Sequence, residues 1–309
     1  MERPVYVIGH RSPDTDSVCS AIAYAALKQQ LGEQNVRPAR AGELNAETRF
    51  VLRHFEVPAP ELLVDAAGVN LILVDHNEVG QALPHLEQAN ILEIWEHHRL
   101  GDLRLPRPIV FHCEPVGATA TLISELHFVR GVVPARAMAG LMLSAILSDT
   151  LGFRSPTTTT RDRDAVARLA PLAGIERPAA FGEELLRVKL EAAERKSPAQ
   201  LVGDDFKEFV MGGRRVGISQ VEVFRAGALA ARKAAILGEL RARREAAGLA
   251  QAIFMITSVA DQSSELWFVG EKPEQFEQAF GALEDGGVVV PGCMSRKQQV
   301  VPRLEAVLR

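Results

Sequence analysis

The sequence predicts an α/β protein: an N-terminal domain built on a mainly parallel sheet flanked by helices, followed by a smaller C-terminal α/β domain. Three observations lead there. Apolar runs of strand length at Val5–Ile8, Leu71–Val74, Ile91–Trp95 and Ile109–Phe111 are bounded by polar, Gly or Pro residues. Helix-period segments lie between several of them, the alternation that builds a parallel sheet covered by helices. After Ser197-Pro198 the texture changes to closely spaced strand-like runs, which mark a second sheet.

Taken in order, the run Val5–Ile8 stops at Gly9, and Ser17–Leu31 places Val18, Ile22, Ala25 and Ala26 at helical spacing. Ala137–Leu147 is apolar nearly all round and predicts a buried helix. Thr and Asp in "PTTTTRDRDAVARLA" are helix-start signals, and the helical pattern then continues to about Lys196. Proline disfavours helical geometry in the residue before it, so Ser197-Pro198 predicts a linker over 193–200, between domains at 1–192 and 201–309. Beyond it, "FKEFVM", "VGISQVEVF", "AIFMITSV" and "ELWFVG" predict strands, with a charged helix from Ala228 to about Ala247.

Of the 309 residues, 47% are hydrophobic and 24% charged, values of a soluble globular chain rather than a disordered or fibrous one. The formal net charge of -4 argues against a surface that coats nucleic acid. Cys19, Cys113 and Cys293 are odd in number and widely spaced, which suits the cytoplasm and suggests neither a disulfide framework nor a cysteine zinc site. Ala137–Leu147 is far short of the roughly 20 residues a membrane helix needs, so no membrane is expected, and the N-terminus lacks the apolar region of a signal peptide, so no export is expected.

Polar residues gather just beyond the predicted strand ends. "VIGHRSPDTDS" places His10, Asp14 and Asp16 after the first strand, in a loop that Pro13 keeps out of helical geometry, with Asp16 or Ser17 capping the helix that follows. Imidazole nitrogen with carboxylate oxygen suits Mn, Co, Zn or Fe. "LILVDHNE" puts Asp75 and His76 at the tip of an apolar run, where a carboxylate costs desolvation unless paired or ligated. In "ILEIWEHHR" a strand ends at Glu96, His97 and His98, and adjacent side chains of an extended strand point to opposite sides, so the two histidines should serve different partners. Asp149 closes an apolar helix against the negative end of its dipole, a conflict that a cation resolves. A solvated loop, a helix cap or a surface histidine pair accounts for any one cluster alone. Together, His10, Asp14, Asp16, Asp75, His97 and Asp149 exceed what one tetrahedral ion uses, so two ions sharing a carboxylate are expected, with Asp75 as the bridge.

At the far end, "GCMSRKQQ" follows the Gly-rich run "GGVVVPG", and Arg296 and Lys297 offer a planar fork and a point charge for phosphate oxygens. The same residues serve equally as a solvated basic turn, and so does Lys207 in "DDFKEF". With these motifs assembled, the chain resembles the family II inorganic pyrophosphatases of the DHH phosphoesterase superfamily. The resemblance runs in family order through "GHRSPDTDS", "VDHNE", His97-His98, "ILSDTLGFRSPTTT", "DFKEF" and "SRKQQ". Asn77 stands where other branches of the superfamily carry a second histidine, and Gln298 stands where the family's usual "SRKKQ" has a lysine.

The resemblance implies hydrolysis of pyrophosphate to two phosphates by a metal-bridged hydroxide. It implies a DHH-type catalytic domain, a DHHA2-type substrate domain and an active site in the cleft between them. It assigns His10, Asp14 and Asp75 to one ion and Asp16, Asp75, His97 and Asp149 to the other, and it gives His98, Lys207, Arg296 and Lys297 to the phosphates. Two manganese or cobalt ions per subunit, magnesium arriving with the substrate and a homodimer are implied as well. The physical logic agrees, because two cations about 3.5–4 Å apart can hold and acidify a water, while basic groups neutralise the phosphates. Two other outcomes are a superfamily phosphoesterase acting on polyphosphate, nucleotides or short oligonucleotides, and a metal or phosphate sensor without turnover. "RARRE" at 241–245 reads as a wet helix face, and His54, His85, His112 and His127 read as structural or surface residues.

Overall fold

The computed structural model describes residues 3–308, and the chain divides after Val188 into two compact units. The first carries β1 (Val5–Ile8), β2 (Val36–Arg40), β3 (Glu61–Leu62), β4 (Asn70–Val74), β5 (Asn90–Glu96) and β6 (Val110–Cys113). They pair in parallel, in the spatial order β3-β2-β1-β4-β5-β6. The helices are α1 (Thr15–Gln30), α2 (Ala46–His54), α3 (Thr119–Val129), α4 (Arg136–Asp149), α5 (Thr160–Ala173) and α6 (Pro178–Glu194), the last running across the division.

Strand alternation sorts the side chains of this sheet into two cores. Val7, Ile72 and Val74 pack with Ala21, Leu141 and Ile146 of the helices. Ile8, Leu71, Leu73 and Ile94 point the other way, against Ala82, Leu83 and Leu86. That second face is covered by short 3-10 turns at Val79–Gln81 and Leu86–Gln88 and by loops. The expected helical cover therefore lies on one face only, because the chain from β4 to β5 forms two 3-10 turns and loops in place of a helix.

The strand order reverses between β1 and β4, which are direct neighbours. In an open parallel sheet the crevice beyond the carboxyl ends of such a pair is where ligands bind, since the chain leaves in opposite directions on either side. The loops after Ile8 and Val74 open there.

In the second unit, α7 (Pro198–Gly203) precedes β7 (Phe206–Met211), β8 (Arg214–Val223), α8 (Lys233–Ala247), β9 (Gln251–Ser258), β10 (Ser263–Gly270), α9 (Pro273–Phe280), β11 (Gly287–Pro291) and α10 (Val301–Val307). The order is β11-β10-β9-β8-β7, antiparallel except for the parallel pair β8–β9. All eight residues of β9 are buried. Its Phe254 and Ile256 meet Ile236 and Leu240 of α8, while Ile253 and Met255 meet Phe276 of α9 and Leu304 of α10. Pro198 proves to be a helix start: Ser197 accepts from the Gln200 backbone N–H, and the Gln200 side chain returns the bond.

Candidate metal centre

The site begins with the tight turn after β1. A Cβ on Gly9 would lie 1.8 Å from Ser17 Oγ, so only glycine lets the chain pass this close to the start of α1. That hydroxyl accepts from the His10 backbone N–H at 3.1 Å. The cap of α1 is Asp14, whose Oδ1 accepts from Ser17 N at 2.9 Å, rather than Asp16 or Ser17 as the loop pattern suggested. Asp16 lies inside the first turn of α1 and reaches across to α3. Its Oδ2 accepts from Thr119 N at 2.6 Å and its Oδ1 from Ala120 N at 3.0 Å, so it satisfies orphan donors of a helix whose own N-cap, Ala118, has no side-chain bond.

Asp75 follows β4 at φ 62°, a left-handed conformation that Asp and Asn tolerate better than other side chains. Its backbone N–H donates to Trp95 O at 3.0 Å, and Thr119 Oγ1 donates to its Oδ1 at 3.2 Å. His97 donates from Nδ1 to Val116 O at 3.0 Å, which turns Nε2 inward, the arrangement that fixes the tautomer of a metal-binding imidazole. His98 is held differently, with Nδ1 and its backbone N–H both 2.8 Å from Glu96 Oε1. The two rings are not on opposite sides of a strand, because β5 ends at Glu96; they lie 4.1 Å apart, centre to centre, and differ through their partners.

The polar ends converge. Ligand atoms of His10, Asp14 and Asp75 lie within 4.8 Å of one another, and so do those of Asp16, Asp75, His97 and Asp149, with Asp75 common to both groups. His10 Nε2 is 3.6 Å from Asp14 Oδ2 and 3.5 Å from Asp75 Oδ2. His97 Nε2 is 3.2 Å from Asp75 Oδ1, 3.5 Å from Asp149 Oδ2 and 3.9 Å from Asp16 Oδ2. Despite these distances, Asp75 Oδ2 and His97 Nε2 are buried without a hydrogen-bond partner.

The electrostatics carry the same message. Burial pushes the Asp16 carboxyl up to about 8, and the Asp75 charge adds to it. Asp149 is held well above the usual carboxylate range by burial and by the charges of Asp16 and Asp75. Burial opposes ionisation of Asp75 too, but His10 and His97 outweigh it and keep that carboxyl low. Burial also works against protonated imidazoles, yet the surrounding carboxylates prevail and raise His10 and His97 to about 10. Protons are thus favoured on both imidazoles and on the Asp16 and Asp149 carboxyls, as expected where more acids are packed together than can stay ionised. A mixed nitrogen–oxygen donor set with two orphaned, buried donor atoms fits divalent cations such as manganese, which would displace those protons.

The basic residues lie in the second unit. Arg296 is buried, with Nη1 donating to Asp205 O at 2.6 Å and Ile218 O at 3.1 Å, and Nη2 donating to Asp205 Oδ1 at 2.9 Å. Lys207 Nζ stands 3.7 Å from the same Asp205 oxygen. Lys297 and Gln298 are exposed on the π-helical turn Arg296–Val300. Sequence reasoning missed Asp205 and Thr119, and it named Glu96 only as a strand end without its bond to His98, because each acts through a partner that only the fold supplies. His127 proves wholly buried, and His112 stacks on Trp95 at 4.5 Å.

A parallel sheet with acids and imidazoles at its switch point, followed along the chain by a second mixed-sheet unit, is the two-domain DHH–DHHA2 class to which the family models point. Residues 4–146 match the DHH family N-terminal domain, and residues 183–307 match the DHHA2 domain. The manganese-dependent inorganic pyrophosphatase of Methanothrix thermoacetophila is 45% identical over 99% of this chain and 98% of its own. A Methanococcus jannaschii crystal structure assigned to the family II inorganic pyrophosphatases is 41% identical, with a TM-score of 0.67 over 98% of this chain and 99% of that one. An exopolyphosphatase-related protein from Bacteroides fragilis, 13% identical with a TM-score of 0.50 over 99% of this chain and 91% of that one, shares the fold alone. The chain belongs to the family II, manganese-dependent inorganic pyrophosphatases.

Proposed function

We propose that this protein hydrolyses inorganic pyrophosphate to two phosphates with the help of two manganese ions. The observation that carries the reading is the pair of ligand groups joined at Asp75, whose Oδ2 is buried without a partner. His10, Asp14 and Asp75 would hold one ion, and Asp16, Asp75, His97 and Asp149 the other. Bound there, two divalent cations supply Lewis-acid chemistry, acidifying water and offsetting phosphate charge.

The chain's own side chains bind and orient the diphosphate. His98 keeps Nδ1 on Glu96, which leaves Nε2 to hold a proton for a phosphate oxygen, and that bond raises its pKa. Lys207, Arg296 and Lys297 supply positive charge for the leaving and attacked phosphates, where preorganised charge is worth most. Asp205 keeps the Arg296 fork fixed. Magnesium enters as part of the substrate.

The homodimer belongs to the same reading. β6 is the last strand of its sheet, and its Val110 and Phe111 are 54% and 43% exposed, an edge that a second copy could cover. Free Cys19, Cys113 and Cys293 suit a reducing cytoplasm. No helix among the described residues is long and apolar enough to cross a membrane.

The test is phosphate release from pyrophosphate, tripolyphosphate and a dinucleotide, side by side, with chelated and manganese-restored protein. Manganese-dependent release from pyrophosphate above the other two is expected. Preference for another substrate, or manganese binding without turnover, overturns the proposal in favour of a different phosphoesterase or a sensor.

A further inference from the structure

Glu47, on α2, is a carboxylate with 1% exposure inside the first unit. A buried acid is costly unless hydrogen bonds compensate it, and two of the bonds this one accepts come from distant segments. Thr15 Oγ1 donates to Glu47 Oε2 at 2.9 Å, and Ser148 Oγ donates to the same oxygen at 2.9 Å. Thr15 stands between Asp14 and Asp16, and Ser148 immediately precedes Asp149. One oxygen therefore ties the start of α1 to the end of α4, the two helix termini that carry three of the four candidate carboxylate ligands.

The behaviour of neighbouring hydroxyls shows that this is not the default. On α4, Ser144 Oγ donates to Gly140 O at 2.7 Å, and beyond its end Thr150 Oγ1 donates to Ile146 O at 2.6 Å, both back along their own helix. Ser148 instead leaves its helix for Glu47. Thr15 is braced further by Thr48 Oγ1 at 3.2 Å, and Thr48 is held in turn by the α2 cap, where its backbone N–H donates to Asn45 Oδ1 at 2.7 Å. Glu47 also sits in the first turn of α2, where the helix dipole favours a negative charge.

We infer that Glu47 is a positioning residue of the metal centre, its Oε2 setting the separation between the Asp14–Asp16 segment and Asp149. The inference rests on the reading that those carboxylates hold ions. Outer partners of ligand-bearing groups typically cost about 10–100-fold in metal affinity when removed, because the ligands must then be ordered by the ion itself.

The test is manganese binding to the full chain, measured calorimetrically, together with the melting temperature of the metal-free protein. Ser148→Ala and Glu47→Leu are expected to weaken manganese binding by about 10–100-fold. Glu47→Gln, whose amide oxygen can still accept from both hydroxyls, is expected to keep most of the affinity. If Glu47→Leu does not fold, Ser148→Ala decides. Wild-type affinity in Ser148→Ala with only the metal-free melting temperature lowered overturns the inference in favour of plain core support, as does a loss in Glu47→Gln equal to that in Glu47→Leu. Failure of the wild-type protein to bind manganese overturns the reading of the site and this inference together.

Discussion

Asp75 concentrates the argument at the scale of single residues, because it belongs to both ligand groups and is buried in a left-handed conformation. Asn tolerates that conformation as well, so Asp75→Asn should keep the metal-free melting temperature while lowering manganese affinity by at least about 10-fold and abolishing hydrolysis. Calorimetric titration beside a melting curve checks both halves. His127 offers a prediction outside the site. Burial lowers its pKa from the ordinary 6.5, and neither ring nitrogen has a well-formed hydrogen bond. The unfolded chain therefore binds this proton at a higher pH than the folded one, so the stability it contributes is complete above pH 6.5 and is lost as pH falls toward its folded pKa. In metal-free protein, His127→Leu should flatten the fall in urea midpoint between pH 7.5 and pH 5.5, and an unchanged slope would contradict the assignment. The residues proposed as ligands were legible as candidates in the sequence because acids and imidazoles stand out at the end of apolar runs. Asp205 and Glu47 were not, since an acid reads as surface until the fold brings it a partner from far along the chain.

Elements place these residues through their ends. The turn from β1 into α1 depends on Gly9, and a methyl group there would collide with Ser17 Oγ. Gly9→Ala should therefore destabilise the protein by about 1–3 kcal/mol, the usual cost of overpacking, and weaken manganese binding, since His10 and Asp14 flank the displaced segment. Chemical denaturation and a metal titration on the same sample measure the two effects. The main strands were readable as apolar runs, α1 from its helical spacing, α4 from its nearly all-apolar sequence and α8 as a charged helix, although α8 starts at Lys233 and not at Ala228. The sequence pattern set the last parallel strand at Ile109–Phe111, whereas β6 runs from Val110 to Cys113, because pairing with β5 and not hydrophobicity decides where an edge strand lies. Short β2 and β3 escaped notice for the same reason: neither is a continuous apolar run. Histidine alternation failed where the strand ended one residue before His97.

Across the whole molecule, a sheet whose switch point gathers four carboxylates and two imidazoles is followed along the chain by a second unit that carries Lys207, Arg296 and Lys297. The change of texture near Ser197 revealed that there are two units, but α6 carries the chain continuously across the structural division. Helix-period residues give no sign of where packing changes partners. Ions that bind only the folded chain must stabilise it by mass action, about 2.7 kcal/mol at a hundredfold excess over the dissociation constant, so manganese should raise the melting temperature and a chelator should reverse the shift. The most direct measurement is the manganese content of the purified protein after equilibration and removal of free metal, taken for the wild type and for Asp75→Asn. The account predicts two ions per chain in the wild type and the loss of both tight sites in the variant. One ion per chain, or full pyrophosphatase activity in a sample stripped of metal, would contradict it.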